Sequence, residues 1–168
     1  MEVIKVLYIF LAMSRRRKQK KRFYSTDPVY QSILVNMFVA QFILDGKKSL
    51  AYRIFYSALQ NIQDKTQRDP LIILEYSVRI VIPTVKLKSR RLGGTTYQVP
   101  VKVKTYQGIS TSIRWILKFA RQRPGTTIGK RLSIEILDRA SGTGSSIQKR
   151  KEIHSIAESN KSFVRYRF

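Results

Sequence analysis

The apolar residues of this chain follow two different spacings. In residues 29–44, 49–65, 109–123 and 127–139 they recur every three to four positions, which is typical of α-helices that bury one face. Boundary signals predict two further helices at residues 71–82 and 145–163. Residues 85–88 and 99–104 alternate instead, as β-strands do. The pattern predicts a mainly α protein, a six-helix bundle with one long β-hairpin at residues 84–105 that projects between the third and fourth helices.

Local signals indicate where these structures begin and end. Asp27-Pro28 and Asp69-Pro70 each place a side-chain acceptor before a proline, which favours the start of a helix. Asp45-Gly46 and Pro124-Gly125 indicate helix ends. Gly93-Gly94 supplies the positive φ angles of a tight hairpin turn. The predicted inward-facing side chains are Ile33, Leu34, Met37, Phe38, Phe42, Leu50, Ile54, Phe55, Ala58, Leu59, Ile62, Ile113, Ile116, Leu117, Ala120, Ile128, Leu132, Ile136 and Leu137.

The charge of the chain indicates its partner. The sequence holds 33 Lys and Arg against 10 Asp and Glu, a formal net charge of +23, while 43% of its residues are hydrophobic, enough for a core. Self-repulsion on this scale is unfavourable for a free monomer. A polyanion that releases its counterions on binding explains it. We predict nucleic acid as that polyanion, with an anionic membrane surface as the alternative.

Few residue types suited to catalysis or metal binding are present. The chain has no cysteine, which excludes disulfides and thiol chemistry, and its single histidine is His154. Glu135 and Asp138 are three residues apart beside basic residues of one helix, which predicts surface ion pairs rather than a catalytic pair. We therefore predict no enzyme activity, no catalytic residue, no metal site and no cofactor.

The N-terminal region divides into two parts. Residues 3–13 are apolar apart from Lys5, too few for the roughly 20 residues of a membrane-spanning helix. We interpret residues 1–12 as an N-terminal extension from an upstream start, with a targeting or docking segment as the alternative. Residues 14–22 contain seven basic residues and no acid, so residues 13–26 are predicted to form a basic arm. Residues 27–168 then form a single helical domain.

Basic residues concentrate at positions where a phosphate backbone could approach. Lys47 and Lys48 follow a helix end, and Arg90 and Arg91 lie in the outer part of a hairpin that contains six Lys or Arg and no acid over residues 84–105. We expect this ribbon to be stiffened by a partner, since an isolated hairpin is marginally stable. Further basic patches are Arg114, Lys118 and Arg121 on the fourth helix and Lys149, Arg150 and Lys151 on the last. Aromatic residues that could stack on bases are Tyr97, Tyr106, Tyr166 and Phe168.

Several short motifs stand in order between Met13 and Phe168. They are Ser14-Arg15-Arg16-Arg17, Asp27-Pro28-Val29-Tyr30, Asp45-Gly46-Lys47-Lys48-Ser49, Ser89-Arg90-Arg91-Leu92-Gly93-Gly94-Thr95-Thr96-Tyr97-Gln98-Val99-Pro100-Val101, Ile113-Arg114-Trp115 and Ala157-Glu158-Ser159-Asn160-Lys161-Ser162-Phe163. In this order and spacing they resemble the bacterial-type S-seven family of small-subunit ribosomal proteins. The hairpin motif is the most specific of them.

The resemblance implies a fold of six helices with the same hairpin, and a structural role in translation without catalysis. It implies a primary binder of small-subunit ribosomal RNA that nucleates assembly of the subunit head. Such a protein would contact neighbouring ribosomal proteins and lie near the exit (E) site, close to messenger RNA and the departing tRNA, with no membrane partner. The RNA-binding residues carried over by position are Arg15, Arg16, Arg17, Lys47, Lys48, Lys88, Arg90, Arg91, Arg114, Arg121, Lys149 and Arg150.

Two departures from the family pattern lie near the C-terminus. Ser155 stands where the family often has a basic residue, and Arg165 stands where it usually has histidine, so contacts of the last helix could differ. The abundance of Ile, Lys, Tyr and Phe indicates an A+T-rich organellar genome, and residues 34–37 and 48–52 resemble plastid members. We expect a ribosome in the plastid (chloroplast) stroma, with a mitochondrial or bacterial cytoplasmic origin as alternatives.

Two other classes of function remain open at this point. A free nucleic-acid chaperone or DNA-binding regulator would carry the same charge. An enzyme acting on RNA would need a cluster of acid–base or metal-binding groups, which the sequence does not display.

Overall fold

The computed structural model describes residues 25–125 and 127–166. Its helices are α1 (Ile33–Phe42), α2 (Lys48–Thr66), α3 (Pro70–Val81), α4 (Thr105–Gln122), α5 (Ile128–Ala140) and α6 (Ser145–Ser159), followed by a 3-10 helix (Lys161–Tyr166). Strands β1 (Val85–Leu92) and β2 (Thr95–Lys102) pair antiparallel between α3 and α4. The predicted fold class, a six-helix protein with a hairpin after the third helix, is confirmed. Within the described ranges no helix is long and apolar enough to span a bilayer.

Helix α5 is the centre of the bundle. It packs against α2, α3 and α4, while α1 lies across α2 and α4. Phe55 and Leu59 of α2 meet Leu132 and Ile136 of α5 in the main core, and all four are fully buried. At Gly129 the backbones of α5 and α2 lie close together, since a Cβ there would already be in ordinary van der Waals contact, 3.5 Å from the backbone oxygen of Ile54. The predicted inward faces of α2, α4 and α5 are largely confirmed.

The first helix differs from its prediction in start and rotation. It begins at Ile33 rather than residue 29, because residues 28–30 form a separate turn and Gln31 has a positive φ of 48°. Ile33, predicted to face inward, is 53% exposed, and Leu50 of α2 is also exposed. The inward face of α1 includes Val35 and Val39, which the prediction omitted. The helix is almost entirely apolar, so the sequence offers little polar face to define its rotation.

Other boundaries also shift. Helix α4 begins at Thr105, four residues before its predicted start, directly after the hairpin. Helix α6 ends at Ser159 rather than near Phe163, and the chain continues as the 3-10 helix. Asp69 caps α3 as predicted, since its carboxylate accepts from the backbone N–H of Leu71 at 2.9 Å with Pro70 in the first turn.

The carboxylate of Asp27 is buried and saturated with hydrogen bonds. Asp27 is 1% exposed. It accepts from the backbone N–H groups of Val29 and Tyr30 at 3.1 and 2.9 Å and from the Tyr56 hydroxyl at 2.8 Å. Burial, together with this hydrogen bond, raises the pKa of Tyr56 well above its ordinary value, so the hydroxyl remains a donor. Asp27 thus ties the segment before α1 to α2.

We expect Asp27→Ala to lower the free energy of unfolding by about 2–3 kcal/mol, because three partly buried donors lose their buried acceptor at once. Tyr56→Phe removes one of the three bonds and should cost about 1 kcal/mol. Chemical denaturation of both variants measures the difference. Equal losses would contradict the role of Asp27 as a shared acceptor.

A buried ion cluster joins α5 to the segments on either side of it. Glu135 and Arg139, i and i+4 on α5, are 2% and 0% exposed and form an ion pair. Glu135 also accepts from Arg123, the residue after α4, at 2.9 Å, and Arg123 pairs with Asp138 at 2.6 Å. Arg139 further donates to the Ser146 hydroxyl at the start of α6. The prediction of surface ion pairs at Glu135 is therefore wrong: Glu135 is buried, and its partners are Arg139 of the same helix and Arg123 of the loop after α4.

Burial also changes the acidity of this cluster. It lowers the pKa of Arg139 to about 10, against the opposing effect of Glu135, so the guanidinium is still charged at neutral pH. A charged group that is fully removed from water depends on its counter-ion. Arg139, which donates to Ser146 of α6, therefore relies on Glu135 for its counter-charge.

The hairpin turns at Gly93 and Gly94, whose φ angles of 56° and 92° confirm the predicted tight turn. Both strands of the hairpin are supported within the chain, since β1 contacts α6 and β2 contacts the 3-10 helix. The ring of Tyr97 lies 4.7 Å from that of Phe163. Part of the stiffening expected from a partner is thus supplied by the C-terminal segment.

Candidate nucleic-acid interface

The acidic and basic residues are segregated along the chain. No Asp or Glu occurs between Glu75 and Glu135, whereas 13 Lys and Arg do. This stretch covers the end of α3, the hairpin, α4 and the start of α5. Among the described residues, Arg123 forms the ion pairs of this stretch. The other cations of the stretch have no ion pair among the described residues, which leaves a basic surface with uncompensated charge.

The strand register distributes the hairpin cations over two faces. Directly opposed residues of an antiparallel pair share a face, and faces alternate along a strand. Lys86, Lys88 and Arg90 of β1 therefore share one face, which includes Tyr97 opposite Arg90. Arg91 lies on the other face, as does Lys102 of β2. The hairpin presents positive charge on both sides.

The two arginines of the hairpin tip differ in environment. Arg91 is exposed, whereas Arg90 is half-buried and its Nε is buried without a hydrogen-bond partner among the described residues. Neither has an ion pair among the described residues. An unpaired guanidinium presents planar donors that match phosphate oxygens. Both predicted residues are thus available to an anionic partner.

The basic stripe on α4 is exposed as predicted. Arg114, Lys118 and Arg121 line an open groove of about 510 Å³ together with Gln41 of α1. Arg121 also has an intramolecular role, since it donates to the backbone oxygen of Phe42 at 3.3 Å and lies 5.7 Å above the Phe42 ring. This contact leaves its remaining N–H groups facing the groove.

A second groove separates the hairpin from the bundle. It has a volume of about 440 Å³, an apolar floor that includes Leu87 and Trp115, and Lys86 and Arg114 among its lining residues. Tyr106 at its edge is 57% exposed. Aromatic faces beside cations are suited to stacking on unpaired bases. Of the other predicted stacking residues, Tyr97 is half-buried against Phe163, while the side chains of Tyr166 and Phe168 lie outside the described residues.

The remaining predicted residues fall into three groups. Lys47 and Lys48 are exposed at the start of α2, and Lys48 lies 5.7 Å above the ring of Tyr52. Lys149 pairs with Glu152 at 2.8 Å, and Arg150 donates to the backbone oxygen of Ile80 at 2.5 Å, so both are engaged within the chain. The predicted arm residues Arg15, Arg16 and Arg17 lie outside the described residues, as do the predicted extension at 1–12 and most of the arm.

The prediction did not single out Lys86 or Lys102. Lys86 lines the groove below the hairpin and donates to Gln107 of α4 at 3.3 Å, and Lys102 lies exposed on the opposite hairpin face. The alternation of apolar and basic residues along the two strands could have identified both lysines. Within the described ranges, no three His, Asp or Glu side chains are grouped so as to hold a metal ion.

Comparison with known proteins agrees with this arrangement. Residues 14–161 match the family model described as ribosomal protein S7p/S5e. The chain is 49% identical over 156 residues to the small ribosomal subunit protein uS7c of Chlorella vulgaris, covering 93% of this chain and 100% of that protein. It is 48% identical over the same shares to the small ribosomal subunit protein uS7 of Acaryochloris marina. The predicted resemblance is confirmed, and the chain belongs to the ribosomal protein S7p/S5e family, a family of structural ribosomal proteins.

Proposed function

We propose that this protein is a structural component of the small ribosomal subunit that binds ribosomal RNA through the hairpin, the α4 stripe and the loop before α2. The observation that carries the proposal is the segregated charge: a stretch with 13 cations and no acid lies on a family-typical fold. Seven of the predicted RNA-binding residues have no ion pair among the described residues. They are Lys47, Lys48, Lys88, Arg90, Arg91, Arg114 and Arg121.

The arrangement of these cations favours recognition of RNA shape. Side chains cannot easily read the deep, narrow major groove of A-form RNA, so phosphate positions and unpaired regions determine which RNA is bound. The hairpin and the α4 stripe stand on two sides of the 440 Å³ groove and could contact two RNA segments at once. Such bridging supports a role as a primary binder that nucleates assembly of the subunit head.

We further propose that residues 27–168 act as a single domain, with the arm at residues 13–26, including Arg15, Arg16 and Arg17, lying on RNA. A location near the exit site, close to messenger RNA and tRNA, and contacts with neighbouring ribosomal proteins belong to the same proposal. The plastid is our proposed location, because a chloroplast protein is among the most similar relatives and the composition is rich in Ile, Lys, Tyr and Phe.

Cofractionation tests the proposal. After gentle lysis and sedimentation, we expect the protein to migrate with small ribosomal subunits and to leave them only in high salt. A protein that remains in the light soluble fractions would overturn the ribosomal role and favour a free nucleic-acid chaperone. Isolation of plastids before lysis tests the location separately, since subunits enriched in another compartment would contradict it.

A further inference from the structure

The hairpin is joined to the bundle by a short connection, residues 82–84, between α3 and β1. Pro83 is buried at its centre. The backbone N–H of Val103, on the returning strand side, donates to the oxygen of Thr84 at 3.0 Å. The two legs of the hairpin are therefore linked at this point. A contact that holds Thr84 in place therefore acts on both strands of the hairpin.

Two side chains of α6 hold this connection from one side. Arg150 donates to the backbone oxygen of Ile80 at 2.5 Å, and the Nε2 atom of His154 accepts from the backbone N–H of Thr84 at 3.3 Å. Arg150 and His154 are i and i+4 and therefore lie on the same face of α6. They bind the chain on either side of Pro83, at the last turn of α3 and at the first residue of the hairpin.

Helix α4 also packs against this connection. Gly108 is buried in its first turn, and a Cβ there would lie 2.9 Å from Cγ2 of Ile82 and 3.6 Å from the backbone oxygen of Pro83. The missing side chain allows α4 to lie directly against the connection. This connection, residues 82–84, is the hinge of the hairpin, and it is contacted by Gly108 and by the hydrogen-bonding side chains of Arg150 and His154.

We propose that Arg150, His154 and Gly108 are positioning residues that fix the angle of the hairpin relative to the α4 stripe, so that both meet RNA without further ordering. This inference rests on the proposed function and deepens it. It assigns Arg150 to the hinge rather than to a phosphate. Preorganised contacts favour binding because less conformational freedom is lost on association.

The salt dependence of RNA binding separates these two roles of Arg150. Each phosphate contact contributes about one unit to the slope of log K against log salt. For Arg150→Met we expect roughly fivefold weaker binding to small-subunit ribosomal RNA, as for one lost hydrogen bond, with an unchanged slope. A slope lower by about one unit would overturn the inference, because it would show that Arg150 neutralises a phosphate. Lys151→Met removes an equal charge from an exposed neighbour and is the matched control.

Hydrogen exchange of the free, full-length protein tests the hinge without RNA. In Arg150→Met and His154→Ala we expect the amides of residues 84–104 to exchange roughly fivefold faster, with unchanged exchange at Leu132 and Ile136. His154→Gln, whose amide oxygen can accept from Thr84, should restore protection. Gly108→Ala should also speed exchange of these amides, because its methyl group would press on Ile82. Unchanged hairpin exchange in all variants would overturn the inference.

The single histidine offers a spectroscopic readout. The contact with Thr84 requires an unprotonated Nε2 and hence a proton on Nδ1 when the ring is neutral. Nitrogen NMR of the imidazole, which has one ring to assign, should show this tautomer, and a neutral ring with its proton on Nε2 would contradict the contact. Wild-type protein that binds RNA without salt dependence would instead refute the proposed function and leave the exchange result to decide the hinge.

Discussion

Glu135→Gln should lower the free energy of unfolding by about 3–5 kcal/mol, because it leaves the buried guanidinium of Arg139 without its counter-ion. Arg139 is fully buried, and its Nη atoms bind the carboxylate and backbone oxygen of Glu135 and the hydroxyl of Ser146. A glutamine keeps the shape of the side chain and removes its charge. Denaturant unfolding measures the loss as a lower midpoint at unchanged slope.

Glu152→Gln is the matched control for this experiment. Glu152 also pairs with a cation of its own helix, Lys149, at i and i+3, but both side chains are exposed. Water already solvates such a pair, so its loss should cost at most about 1 kcal/mol. Equal effects of Glu135→Gln and Glu152→Gln would show that Arg139 is not held as a buried cation.

A double replacement tests the reason for the loss. Glu135→Met combined with Arg139→Met removes both charges together, and similar apolar replacements of buried ion pairs are often neutral. We expect the double variant to be more stable than Glu135→Gln alone. A double variant as unstable as the single one would attribute the loss to packing rather than to the unpaired charge.

Raising the salt concentration from 50 to 200 mM should weaken binding of the isolated protein to small-subunit ribosomal RNA by roughly a thousandfold, if about six cations meet phosphates. The structure supports this number, because seven predicted residues present cations without ion pairs among the described residues. Each neutralised phosphate releases condensed counter-ions, and added salt opposes that release. Filter binding or fluorescence anisotropy over a salt series measures the slope.

Replacing Arg90 and Arg91 together with alanine should lower that slope by about one to two units. Arg91 is exposed and Arg90 is half-buried, and neither guanidinium has an ion pair among the described residues, so both are candidates for phosphate contacts. Replacement of Arg53, an exposed cation of α2 away from the acid-free stretch, is the control and should leave the slope unchanged. A double variant with the wild-type slope would mean that the hairpin does not touch phosphate.

The order and type of the helices and strands were predictable because each depends on local spacing. Asp69-Pro70 and Gly93-Gly94 act through their own backbone, so the start of α3 and the hairpin turn appeared where predicted. The start of α1 did not appear where predicted. The Asp27-Pro28 pair, which can begin a helix, here caps a separate turn, because the Asp27 carboxylate accepts from the backbone N–H groups of Val29 and Tyr30. Its third hydrogen bond comes from Tyr56, 29 residues away, which no local pattern reveals.

The charged residues also divide into those that local sequence predicted and those whose role depends on distant residues. Lys47, Arg91 and Arg114 were predicted from charge and neighbouring sequence, and all three are exposed. Arg150 looked equivalent in the sequence, but its hydrogen bond to Ile80 joins residues 70 positions apart. Local sequence identified these cations as candidates, whereas the partner of a cation and, for Arg139, its burial follow from the packing of distant helices.

By itself, the sequence determined the family, the helical architecture with its hairpin, and the concentration of uncompensated positive charge. These follow from periodicity, turn residues and motif order. The tertiary structure alone decided that Glu135 and Arg139 form a buried ion pair. It also decided that Arg150 and His154 of α6 form hydrogen bonds with the backbone on either side of Pro83. The physical reason is that burial and hydrogen bonding depend on which surfaces of separate helices meet, and that choice is made by the packed core as a whole.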